Sequence, residues 1–104
     1  MADEFVKLAT TDELSDGDIK TVRSGIHEIF LIRMGDEYLA MDNLCSHNGG
    51  PLDMGMLEGD QILCPWHDSK FNIRTGEVTG GPAIGRQRTF PVTVEGGDIL
   101  IPKP

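Results

Sequence analysis

Two short clusters of cysteine and histidine are the residues of this chain best suited to chemistry. One residue separates Cys45 from His47, and two residues separate Cys64 from His67. Thiolate and imidazole groups are both metal ligands, and each cluster is set among glycine, proline and other loop-forming residues. Each loop would supply one sulfur and one nitrogen, so the spacing predicts a metal site built between two loops.

Three kinds of site use these residue types. A mixed-ligand [2Fe–2S] centre needs two cysteines on one iron and two histidines on the other, which two facing loops would provide. Structural zinc also takes four such ligands, although zinc fingers usually have a cysteine pair at one end and a histidine pair at the other. A disulfide between Cys45 and Cys64 would leave the repeated spacing of His47 and His67 unexplained. We therefore favour the iron–sulfur centre.

The two clusters lie in runs that resemble the cluster-binding boxes of Rieske ferredoxins, the small soluble carriers of bacterial multicomponent oxygenase systems. These runs are residues 45–52 (CSHNGGPL) and 64–71 (CPWHDSKF). The similarity extends along nearly the whole chain, from residues 5–8 to residues 97–100. It implies an all-β fold, a Rieske-type antiparallel β-sandwich with a cluster-binding subdomain made of two hairpin loops. It also implies one Rieske 2Fe–2S cluster with Cys45, His47, Cys64 and His67 as ligands.

The same resemblance implies an electron carrier rather than an enzyme. Such a protein passes single electrons from a flavoprotein ferredoxin reductase to a terminal oxygenase, here expected to hydroxylate aromatic rings in hydrocarbon catabolism. Both partners would bind transiently to a monomer. The small Rieske-like subunit of an assimilatory nitrite reductase is an alternative, and it would form a tight complex with a large subunit. A zinc-bound structural module is another, and it would be colourless and redox-silent.

A catalytic iron site within this chain is excluded by the number of histidines. A non-haem iron of the facial-triad kind needs two histidines besides the four proposed ligands. Only His27 remains, and we expect it to be a solvated surface residue. The chain can therefore deliver electrons to an oxygenase but cannot itself be the oxygenase.

Length and charge narrow the class of protein further. The 104 residues predict a single domain, 1–104, and the net charge of −8 argues against nucleic acid as a partner. The longest apolar run, residues 29–32, is too short to cross a bilayer, so no membrane association is expected. Both cysteines are assigned to the cluster, which fits a reducing compartment. We expect a cytoplasmic protein.

The pattern of apolar residues predicts a small antiparallel β protein. Thirteen glycines and six prolines punctuate short runs with near-period-two alternation. Near residue 11 we expect one helical turn capped by Thr10 or Thr11. Phe90, Val92 and Val94 are predicted to share one face of a strand, with an edge or a bulge at Pro91. The other predicted strands are residues 5–9, 19–23, 28–33, 38–42, 56–57, 61–63, 71–73, 77–79 and 99–101.

Residues around the boxes suggest a low reduction potential. Respiratory-chain Rieske proteins, a more distant resemblance, have two extra cysteines and donate hydrogen bonds from a serine and a tyrosine. Here Ser69 matches the serine, but Phe71 stands at the tyrosine position and the extra cysteines are missing. We expect a potential below about +50 mV, in the lower half of the Rieske range. Trp66 is expected to be buried, with an apolar docking surface as the alternative, and Met54 and Met56 are expected to fill gaps rather than contact a partner.

Overall fold

Antiparallel β-strands form nearly all the regular structure of this protein. The computed structural model describes residues 4–45, 49–66, 69–81 and 85–104. Two single-turn 3₁₀ helices, η1 (Thr11–Glu13) and η2 (Leu52–Met54), interrupt the strands. The strands are β1 Phe5–Thr10, β2 Ile19–Ser24, β3 His27–Met34, β4 Glu37–Asp42, β5 Met56–Glu58, β6 Gln61–Leu63, β7 Lys70–Asn72, β8 Val78–Gly80, β9 Thr89–Phe90, β10 Thr93–Glu95 and β11 Asp98–Pro102.

Within the described residues, the strands form three antiparallel sheets. An outer sheet has the order β1-β11-β10, a central sheet the order β2-β3-β4-β9, and a small sheet the order β5-β6-β7-β8. The first box follows β4 of the central sheet, whereas the second box joins β6 to β7 of the small sheet. The two boxes therefore belong to different sheets, and contacts between the sheets must bring them together.

Strand β3 forms the middle of the molecule because both of its faces are buried. Successive side chains of a strand point to opposite faces. Ile29 and Leu31 pack in one apolar core with residues of the outer sheet, while Phe30 and Ile32 pack in a second core with residues of the small sheet. All four side chains have no exposed surface. The central sheet is thus the shared layer between the two cores.

The prediction of an all-β protein is confirmed, and most predicted strands agree with the structure to within a residue at each end. The predicted helical turn is η1, with Thr10 as its N-cap. The Thr10 backbone N–H donates to the Glu13 carboxylate at 2.8 Å, as in a capping box. In the described part of the chain, no helix is long and apolar enough to span a membrane.

The single strand predicted through Phe90, Val92 and Val94 is wrong. Strand β9 ends at Phe90 and pairs with β4 in the central sheet, whereas β10 begins three residues later and pairs with β11 in the outer sheet. Pro91 lies at the crossing, where the lack of an N–H donor is unimportant because no ladder continues there. As a result Phe90 is buried, but Val94 is 47% exposed.

Candidate metal centre

The first box begins three residues beyond β4 and closes on itself through the backbone of Cys45. The N–H of Cys45 donates to the carbonyl of Gly50 at 2.7 Å, and its carbonyl accepts from the N–H of Gly49 at 2.8 Å. Gly49 has a φ of +78°, which glycine adopts without strain. The Cys45 side chain is 4% exposed. The loop geometry therefore holds this thiol at the edge of the core.

The second box begins directly after β6, at Cys64, and its last two residues belong to β7. The N–H of Cys64 donates to the carbonyl of Ser69 at 2.8 Å, which closes the loop at its base. Cys64 is 1% exposed, and Ser69 is fully buried. This thiol therefore also lies at the base of a loop, on the side of the small sheet that packs against the central sheet.

The structure brings both cysteines into one apolar core. Cys45 and Cys64 belong to the same packed cluster of buried residues, and no disulfide joins them. Thiolates in a dry, shared environment are the donors that iron–sulfur clusters require, so the observed pair fits such a group. The other two predicted ligands, His47 and His67, lie outside the described residues, and the full ligand set stays a prediction.

Asn43 is a structural residue that the sequence reasoning missed. It lies just before the first box and is 1% exposed. Its side-chain amide donates to Glu28 at 3.2 Å and to Asp53 at 2.9 Å, and its side-chain oxygen accepts from the N–H of Asp53 at 2.8 Å. These bonds attach the start of the first box to β3 and η2. No local sequence pattern distinguishes such an asparagine from one in an exposed turn.

Gln87 is the second missed residue, and it is also 1% exposed. Its side-chain amide donates to the carbonyls of Asp42 and Leu44, each at 2.7 Å. These two carbonyls lie on either side of Asn43 in the chain. Because Gln87 is far from the boxes in sequence, only the fold reveals that it contacts the base of the first loop.

His27 and Asp42 lie together at one end of the central sheet. His27 was expected to be solvated, but it is only partly exposed, at the start of β3. Burial raises the pKa of Asp42, while the positive charges of Arg88 and His27 act in the opposite direction.

Three apolar side chains near the boxes are exposed, contrary to expectation. Trp66 is 52% exposed, Met54 is 72% exposed and Met56 is 66% exposed. The core between the central and small sheets is formed by other residues, such as Ile62 and Phe71. An open groove of about 260 Å³ is lined by Met54, Gly55, Met56, Leu63, Cys64 and Pro65.

Comparisons with known proteins agree with this arrangement. The family model of the Rieske [2Fe-2S] domain matches residues 4–91. The ferredoxin component of the p-cumate 2,3-dioxygenase system of Pseudomonas putida is 38% identical over 94% of this chain and 85% of that protein.

Two solved structures also match nearly the whole chain. The ferredoxin of carbazole 1,9a-dioxygenase from Nocardioides aromaticivorans IC177 is 36% identical with a TM-score of 0.87, covering 93% of this chain and 95% of that one. A chain in a complex of reduced oxygenase and oxidized ferredoxin in carbazole 1,9a-dioxygenase is 30% identical with a TM-score of 0.88, covering 95% and 93%. The predicted sandwich is confirmed, and the cofactor is one Rieske 2Fe–2S cluster. This chain belongs to the Rieske [2Fe-2S] domain family.

Proposed function

We propose that this protein is an electron-transfer component that passes single electrons to a terminal oxygenase, and that it is not itself an enzyme. The observation that carries the proposal is the convergence of Cys45 and Cys64 from two sheets into one dry core, beside an exposed apolar groove. Relatives of similar length that are ferredoxin components of dioxygenase systems support it. An oxygenase acting on aromatic rings is the partner that these relatives favour.

The proposed ligands divide between two irons. Cys45 and Cys64 would hold one iron, and His47 and His67 the other. When bound, the cluster accepts and releases one electron at a time. The neutral imidazoles give this ligand set less negative charge than four thiolates, which raises the reduction potential. The core residues around Cys45 and Cys64 exclude water from the sulfur side of the site.

The groove beside Cys64 is the surface that we assign to partner binding. A carrier must release each partner after transfer, which favours an interface of less than about 1,200 Å². Met54 and Met56 line this groove, and Trp66 follows the lining residue Pro65 in the chain. All three side chains are exposed and offer adaptable apolar contacts for a small interface. A flavoprotein ferredoxin reductase would supply the electrons, and the same surface would serve both partners in turn.

We also propose that residues 1–104 form a single Rieske domain, and that the protein acts as a monomer in the cytoplasm. Pairing between β1 and β11 joins the two ends of the chain and supports the single domain. Assignment of both cysteines to the cluster supports a reducing compartment.

Removing the exposed methionines should slow delivery of electrons to an oxygenase. We expect Met54→Gln combined with Met56→Gln to lower the second-order rate of oxidation by the oxygenase by roughly tenfold, with the reduction potential unchanged. The dithionite-reduced protein would be mixed in a stopped-flow spectrometer with terminal oxygenases of aromatic dioxygenase systems, beginning with that for p-cumate. The recovery of visible absorption would be followed.

A matched control comes from the outer sheet. Phe5 and Val94 are 50% and 47% exposed, and that sheet covers the face of the central sheet opposite the boxes. Phe5→Gln combined with Val94→Gln should leave the rate unchanged. Equal slowing by both pairs would argue against the groove as the docking surface. Failure of every oxygenase tested to oxidise the wild-type protein would argue against the function itself.

Ser69→Ala should lower the reduction potential. Ser69 is buried at the base of the second box, and a hydroxyl that donates toward the cluster favours the more negative, reduced state. Loss of one such bond, worth about 1 kcal/mol, corresponds to roughly 40 mV for a one-electron couple. Protein-film voltammetry would measure the shift, with Ser24→Ala at the end of β2 as a control. An unchanged potential in Ser69→Ala would show that the hydroxyl donates elsewhere.

A further inference from the structure

Gln87 is in contact with both parts of the structure that carry a box. Its backbone N–H donates to the carbonyl of Gly76 at 2.7 Å, in the turn between β7 and β8 of the small sheet. Its side-chain amide donates to the carbonyls of Asp42 and Leu44, at the end of the central sheet. One residue therefore connects the sheet of the second box to the base of the first.

The contact between Gln87 and Gly76 is too close for any side chain at position 76. A Cβ atom there would lie 2.0 Å from the carbonyl oxygen of Gln87 and 3.0 Å from its carbonyl carbon. Gly76 also donates its own N–H to the carbonyl of Asn72, the last residue of β7. Because the contact joins the backbone of Gly76 to the backbone of Gln87, no side-chain rotation can change the distance between them.

On the side of the central sheet, the connection uses both N–H groups of the Gln87 side-chain amide. Gln87 is 1% exposed, so water cannot readily replace the bonds that its amide makes. Without them, the partly buried carbonyls of Asp42 and Leu44 would each lose the hydrogen bond that ties them to Gln87. The chain between these carbonyls leads directly to Cys45. Loss of the amide should therefore loosen the base of the first loop specifically.

We propose that Gln87 is a positioning residue that fixes the first cluster loop relative to the second, and so controls how long the cluster is retained. This role rests on the proposed function, because it requires ligands from both loops. A ligand set divided between two loops fits the bridged irons only at one separation of those loops. Gln87 is not a ligand in this scheme and acts only through the backbone at residues 42 and 44.

The test compares Gln87→Met with a variant of equal stability. Methionine nearly preserves the length of the side chain but donates no hydrogen bond. Ile99, fully buried in the opposite core, supplies the control through Ile99→Val or Ile99→Ala, whichever matches the melting temperature of the Gln87→Met holoprotein. Cluster loss would be followed as bleaching of the visible bands under a chelator, without oxygen.

We expect Gln87→Met to lose its cluster roughly tenfold faster than the Ile99 control, and to show shifted g values in the electron paramagnetic resonance spectrum. Equal bleaching rates together with wild-type g values would overturn the proposal. If Gln87→Met yields no folded protein, Gln87→Asn replaces it, since the shorter amide cannot span both carbonyls. The same two outcomes then decide the matter.

The variant Cys45→Ser distinguishes this proposal from the ligand assignment. Full retention of iron in Cys45→Ser would overturn the assignment, whatever Gln87→Met does. Loss of iron in Cys45→Ser together with unchanged retention in Gln87→Met would overturn the positioning role alone.

Discussion

Replacement of Cys64 by serine should produce a protein without visible absorption bands and without iron. A hydroxyl group loses its proton far less readily than a thiol, and it is a harder donor, so it replaces a cluster thiolate poorly. Cys64 is 1% exposed, and the other thiol in its core, that of Cys45, is already assigned as a ligand of the same iron. Iron and acid-labile sulfide analysis, with the absorption spectrum, would measure the loss. We also expect a lower melting temperature, because cluster binding stabilises the folded state.

The matched control for this change is Ile62→Val. Ile62 lies in the same core and is fully buried, but it has no metal-binding group. Its shortening should cost about 1 kcal/mol while leaving the iron content at the wild-type level. Wild-type iron content in Cys64→Ser would refute the ligand assignment, and zinc in place of iron in the wild-type protein would favour the structural-module alternative.

The second large effect is expected from Gly76→Ala. Gly76 has a φ of +77°, and an added Cβ would collide with the Gln87 backbone, which no side-chain rotation can relieve. We expect a loss of about 3 kcal/mol or more in the free energy of unfolding, since strain and steric displacement add. Chemical denaturation of the holoprotein, followed by far-ultraviolet circular dichroism, would measure it.

Gly25→Ala separates the two causes. Gly25 has a φ of +62° in the β2–β3 hairpin, but nothing lies within 4 Å of a Cβ built there. This variant bears the cost of backbone conformation alone, about 1 kcal/mol. If both glycine variants lose the same stability, the close approach between Gly76 and Gln87 contributes nothing. That result would also remove one support for the positioning role of Gln87.

Local patterns in the sequence were sufficient for the strands and for the two boxes. Alternation of apolar residues and glycine-containing turns located hairpins such as β2–β3, because both signals act within a few residues. The prediction failed at Pro91, where the chain leaves one sheet and joins another. Alternation cannot reveal such a crossing, since Val94 would suit the face of either sheet.

The site was predictable to a smaller extent. The spacing of Cys45 and Cys64 within their boxes indicated their shared role, and the structure places both thiols in one core. Exposure of Trp66 and the burial of Gln87 depend on which positions the three sheets fill, which is a tertiary property. The two histidines, His47 and His67, stay a prediction that electron paramagnetic resonance of the reduced protein can test, since mixed nitrogen and sulfur ligation lowers the average g value relative to all-sulfur ligation.

Because side chains alternate between the two faces of β3, substitutions at neighbouring positions should change different properties of the protein. Ile29 and Leu31 face the core with the outer sheet, and Phe30 and Ile32 face the core that contains both cysteines. Substitutions at the odd-numbered pair should alter heat tolerance while leaving the redox properties nearly constant. Those at the even-numbered pair would change both together, so a selection for thermostable carriers is best confined to the first pair.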